Sequence, residues 1–169
     1  MRILFFYCVF SFSLLGGHAG PAQPLDDEGT ITAFENSDEA YLEKQYELLQ
    51  EIANNELAKR FNGEKAHDLE LLQKLIDSRA IKSDQRRELQ AMGVVLGRTL
   101  AKEYELPWVV FRDSVGRSRA LQIDETKRVV FPMTMISRRL EVGARANVQD
   151  IYAKASRIIE YTRANHVLY

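Results

Sequence analysis

Five arginines, Arg112, Arg117, Arg119, Arg138 and Arg139, gather in the second half of a 169-residue chain, and the single tryptophan, Trp108, stands just ahead of them. A guanidinium is a planar fork of N–H donors that grips a carboxylate or phosphate through two parallel hydrogen bonds. Such a cluster suits an acidic protein face, a lipid head group or a peptidoglycan carboxylate. Arg112, Arg117 and Arg119 surround one turn, and Arg138 and Arg139 follow Pro132 closely. The competing use of these side chains is internal, in ion pairs with the fold's own acids or in hydrating the outer face of a sheet. Trp108 follows Pro107 and suits a core anchor better than an exposed stacking platform, because its large ring gains most from burial. Trp108 and the five arginines are the expected binding set.

Other chemistries find less support. Nucleophilic catalysis needs Ser or Cys beside a positioned base. The one cysteine, Cys8, lies in an N-terminal apolar run, and His67 and His166 are far in sequence from the arginines. Ser114-Val115-Gly116 lacks the glycine that precedes a nucleophile elbow and reads as a hairpin turn. His67, Asp68 and Glu70 offer metal donors on successive turns, but zinc sites draw on three protein ligands and no clear second histidine is at hand. No metal or other cofactor is therefore expected. Asp113 and Asp124 would suit glycoside chemistry if they flanked a cleft, yet each borders a predicted turn, where aspartate bonds its own backbone. No glycine-rich phosphate cradle follows a strand. A non-enzymatic interaction module is the main expectation, and an enzyme with a cryptic carboxylate site acting on cell-wall glycans is the alternative.

Periodicity predicts the elements that position these residues. Ser37 is placed to cap a helix opening with Asp38 and Glu39, both favoured at the positive end of its dipole. Leu42, Tyr46, Leu49, Ala53 and Leu57 form its apolar stripe, which ends at Phe61 before Asn62 and Gly63. A second helix runs from Lys65 to Ser78, and Ser83 caps a third with Leu89, Met92, Leu96 and Leu100 on one face. Gly93 and Gly97 each cost that helix about 1 kcal/mol against alanine. A close approach of another backbone would offset the cost, and the charges nearby favour a packing groove in water over a membrane dimer. After Leu106-Pro107 the period becomes strand-like. Segments 108–112, 119–123 and 128–131, joined by short turns, predict an antiparallel three-stranded meander closed by Pro132. Residues 133–140 make a brief helix or loop, and Asn147 with Asp150 caps a last helix expected to bury one face made of Val148, Ile151, Tyr152, Ala155, Ile158, Ile159 and Thr162. Helices first, sheet next and a helix packed on the sheet make an α+β domain.

The chain's address is read from residues 1–19. Arg2 precedes an apolar run of about 13 residues and small residues up to Ala19, the three-part pattern of a secretory signal peptide. The run is short for a membrane span, which needs about 20 apolar residues. Cleavage near Ala19 would give a periplasmic or secreted protein without a cysteine, with no stable membrane insertion. Its 22 basic and 24 acidic side chains give no global pull toward nucleic acid. Charge is nonetheless segregated: residues 26–56 hold ten carboxylates against Lys44, and residues 112–163 hold eleven basic side chains against six acidic. The two halves are expected to face each other or, more sharply, to leave a basic face for an acidic partner in the envelope. Residues 20–36 mix Pro, Gly and acids and read as a flexible tether, 37–164 as a single domain able to bury about 70% of its unfolded surface, and 165–169 as a tail.

Leu96-Gly97, Trp108, Gly116-Arg117, Val130-Phe131-Pro132, Ile136, Arg138-Arg139 and Val148-Gln149-Asp150-Ile151 together resemble an uncharacterised bacterial family of short, often exported α+β proteins, defined as a domain of unknown function. The resemblance spans residues 96–151 and implies a bacterial, periplasmic setting. It carries over no activity and no catalytic residue.

Overall fold

The computed structural model describes residues 29–166; the expected signal peptide at 1–19, the first part of the tether and residues 167–169 lie outside them. Within this range the order is β1 (Thr30–Thr32), α1 (Asn36–Leu57), α2 (Lys65–Asp77), α3 (Arg86–Tyr104), β2 (Trp108–Asp113), β3 (Gly116–Gln122), β4 (Val129–Val130), α4 (Pro132–Glu141) and α5 (Val148–His166). The protein is α+β with an antiparallel sheet in the order β1-β2-β3-β4. No helix among the described residues is long and apolar enough to cross a membrane.

The sheet has four strands where the sequence predicts three. The added edge strand comes from the stretch read as a tether: Thr30, Ile31 and Thr32 pair with Arg112, Phe111 and Val110. Three β-branched residues in a row suit a pleated surface, but three are too few to show a period. Three helix boundaries also move. Ser37 is not the cap of α1, because the helix starts at Asn36, two residues earlier than expected, and Glu35 holds that place, its amide donating to the Asp38 carboxylate at 3.3 Å. At the other end Ala58 turns left-handed, so Phe61 reaches the core from a loop. Gln50 holds that loop, accepting from the Phe61 amide at 2.8 Å and donating to its carbonyl at 2.9 Å. Similarly, α3 is preceded by Gln85 and not by Ser83.

α3 is the axis of the molecule, buried from Leu89 through Leu100 on nearly every side. Leu42, Leu49 and Ala53 of α1 pack over it, and Arg98 of α3 meets Glu43 of α1 at 2.5 Å and lies 4.0 Å over the Tyr46 ring. Of the two glycines of α3, Gly93 faces the close-passing backbone that the sequence anticipates, whereas Gly97 faces side chains. A Cβ on Gly93 would stand 2.6 Å from the Pro132 carbonyl oxygen, and one on Gly97 would stand 2.6 Å from the Trp108 ring. Pro132 both ends the sheet and opens α4, since its fixed φ and missing N–H suit the first turn of a helix. Asn147 caps α5 by accepting from the Asp150 amide at 3.0 Å, as its spacing implies. α5 packs on α2, α3 and α4 and reaches the sheet at the β3–β4 turn, where Arg163 clamps Asp124 at 2.7 Å.

Candidate functional site

The β2–β3 turn sets the arrangement of the first three arginines. Asp113 Oδ1 accepts from the amides of Val115 and Gly116, each at 3.0 Å, which closes the hairpin. The resulting register places Arg112 opposite Arg117 and Val110 opposite Arg119. Cross-strand partners share a face, so Arg112, Arg117 and Arg119 stand on one side of the hairpin, an arrangement of like charges that is unfavourable without a counterion.

Asp38, in the first turn of α1, is that counterion. Its side chain is 1% exposed and accepts from Arg117 Nη2 at 2.7 and 2.6 Å and from Arg119 Nε at 3.0 Å. Burial alone would push the Asp38 carboxyl up, but the Arg117 hydrogen bonds, the Glu35 amide and the charges of both arginines outweigh it and hold the group below its ordinary value. The Arg119 guanidinium also lies 3.8 Å above the Tyr41 ring. One carboxylate thus orients two cations and leaves positive charge in excess.

That excess faces a groove of about 380 Å³ between the hairpin and α4, with Tyr41, Arg117, Arg119, Phe131, Met133 and Arg138 among its walls and Asp113 its one acidic wall residue. Arg138 is exposed on α4. The groove therefore unites three of the six expected residues. Arg112 is exposed on the hairpin and stands outside it, while Arg139 folds back so that its guanidinium donates to the Met135 carbonyl. Trp108 is half-buried, with its ring against Gly97 and 6.2 Å from that of Phe34, the setting of a packing anchor.

The remaining candidates have structural partners. Asp113 and Asp124 lie at opposite ends of β3, about 20 Å apart by the rise of a strand, too far for two carboxyls acting on one glycosidic bond. Asp68 accepts from the amides of Asn62 and Gly63, both at 3.0 Å, His67 Nε2 is 2.9 Å from the Arg60 carbonyl, and Glu70 pairs with Lys74. Tyr41 lines the groove and Asp38, buried, holds two of its arginines; both were missed as site residues. The signal available for them was the acidity of α1 against the basic hairpin. A larger hollow of about 1000 Å³ between the α2–α3 and α4–α5 loops was also missed. It mixes Arg79, Lys82 and Arg145 with Asp77 and Asp84 at its open walls, and Gln73 holds its rim by accepting from the Val148 amide at 2.8 Å.

A family model described as a domain of unknown function, DUF3806, matches residues 68–152. The chain belongs to this family. The match meets the resemblance read from the sequence, and the structure shows why spaced single residues carry it: Gly97, Trp108 and Pro132 meet at one packing node. The DUF3806 segment holds Arg117, Arg119 and Arg138 but not Asp38 or Tyr41. A crystal structure from Bacteroides thetaiotaomicron VPI-5482 is similar, with a TM-score of 0.68 and 25% identity over 75% of this chain and 47% of that one. The chain thus spans about half the length of that structural relative. No curated protein matches it.

Proposed function

We propose that this member of DUF3806 is an exported, non-enzymatic interaction module of the bacterial envelope, of the inhibitor or immunity type, whose groove between the hairpin and α4 holds an acidic segment of another protein. The observation that carries this reading is the surplus of guanidinium over carboxylate around Asp38. Arg117 and Arg119 are locked in place by a buried acid, so little side-chain entropy is lost when their remaining N–H donors meet a ligand. Arg138 completes the wall from α4. The export part of the reading rests on the pattern of residues 1–19. The glycan-cleaving alternative has no suitably spaced pair in Asp113 and Asp124.

Arg138 is the residue to test, because it is exposed on a helix and its loss should leave the fold intact. Binding of labelled Asp/Glu-rich peptides, and capture of envelope proteins from the native host, should fall about tenfold or more in Arg138→Ala and further in Arg138→Glu, with unchanged melting temperature. Arg139→Ala, which loses a bond to its own helix, should have the smaller effect on binding. Equal binding by wild type and Arg138→Glu would remove the groove from consideration.

A further inference from the structure

Beyond Arg138 the groove does not end. A second hollow of about 320 Å³ opens between β4, α4 and α5, and it shares Phe131, Thr134 and Arg138 with the first. The two are compartments of one surface, but their chemistry differs. Val129, Met135, Ile151, Ala155 and Ile158 make the second compartment apolar, and Ile158, expected on the buried face of α5, is instead 42% exposed, one of few large apolar side chains left in water among the described residues. Its charged lining consists of Arg138, Arg139 and Lys154, with no carboxylate. An apolar floor under a rim of one sign of charge favours a ligand that pairs apolar surface with the opposite sign.

We infer that this compartment seats an aliphatic or aromatic side chain of the same acidic partner segment, so that the ligand is an amphipathic acidic stretch of protein with an apolar anchor close to its carboxylates. The inference rests on the acidic-segment reading of the first compartment and names the second half of that recognition. Arg138, the shared wall, fixes the spacing: the apolar residue must lie within a few positions of the acid that Arg138 holds. In an extended segment, residues two apart are about 7 Å apart on one face, which fits a step across one arginine side chain.

Two labelled peptides separate the inference from the reading beneath it: one Glu-rich with a central leucine, the other identical with serine there. Wild-type protein should bind the leucine peptide about tenfold more tightly, from burial of one apolar side chain. Ile158→Asp should erase that preference while the serine peptide still binds. Arg138→Ala should weaken both. Ile158 is part-exposed, and an unchanged melting curve would certify the fold of its variant. Equal affinity for the two peptides, or a preference that survives Ile158→Asp, would overturn this inference and leave the acidic groove standing. Failure of both peptides to bind would overturn both. Sedimentation showing a wild-type dimer that Ile158→Asp dissolves would give the face to a second copy of the chain and likewise overturn it.

Discussion

A buried carboxylate that serves two guanidinium groups is costly to disturb, because removing it leaves two like charges on one hairpin face. Asp38→Asn should destabilise the protein by about 3 kcal/mol, the order found for breaking a buried ion pair, measurable by urea unfolding at neutral pH. The pH dependence has a definite sign. Since the Asp38 carboxyl is held below its ordinary value of 3.8, the folded chain binds this proton less readily than the unfolded one. Its stabilising contribution is complete above about pH 4 and is lost as pH falls through the depressed folded value. Unfolding free energy measured from pH 6 down to pH 2 should fall more steeply in wild type than in Asp38→Asn. The arginines show what could and could not be read beforehand. Their clustering was legible from spacing alone, but which of them face a groove depends on a register and on a residue of α1 about eighty positions away. Arg117 and Arg119 were legible as a recognition pair or as an internal one, and the structure makes them internally held.

Among the elements, the crossing of α3 and α4 is the tightest constraint. Gly93→Ala gains about 1 kcal/mol of helix propensity but drives a methyl into the backbone of Pro132 and Met133. Net destabilisation of about 2 kcal/mol, or a melting temperature lower by about 5 °C, is expected by calorimetry. Gln73→Ala tests the joint between α2 and α5, since it strips the Val148 amide of its acceptor; a loss of about 1 kcal/mol with faster amide exchange in the first turn of α5 is the expected result. The glycine groove and the α5 cap were legible because each has a local mechanism, a fixed spacing with a fixed cost or partner. The end of α1 was not, since Phe61 continues the apolar stripe in sequence while Gln50 holds it in a loop. β1 escaped for the same reason: three residues gain their strand conformation from pairing with β2 and not from any period of their own.

At the scale of the molecule, one cysteine in the whole sequence rules out an internal disulfide, so melting curves with and without reductant should coincide. Charge segregation, visible in the sequence as an acidic stretch before a basic one, becomes a physical joint in which α1 supplies Asp38 to the hairpin and Glu43 to α3. The family segment at 68–152 lies entirely on one side of that joint. Cutting the gene to those limits would therefore strip the leucines of α3 of their cover and unmask two guanidinium groups together. Such a fragment should come out of expression aggregated or clinging to polyanions, and the first soluble trimmed version should be one that keeps the opening turn of α1.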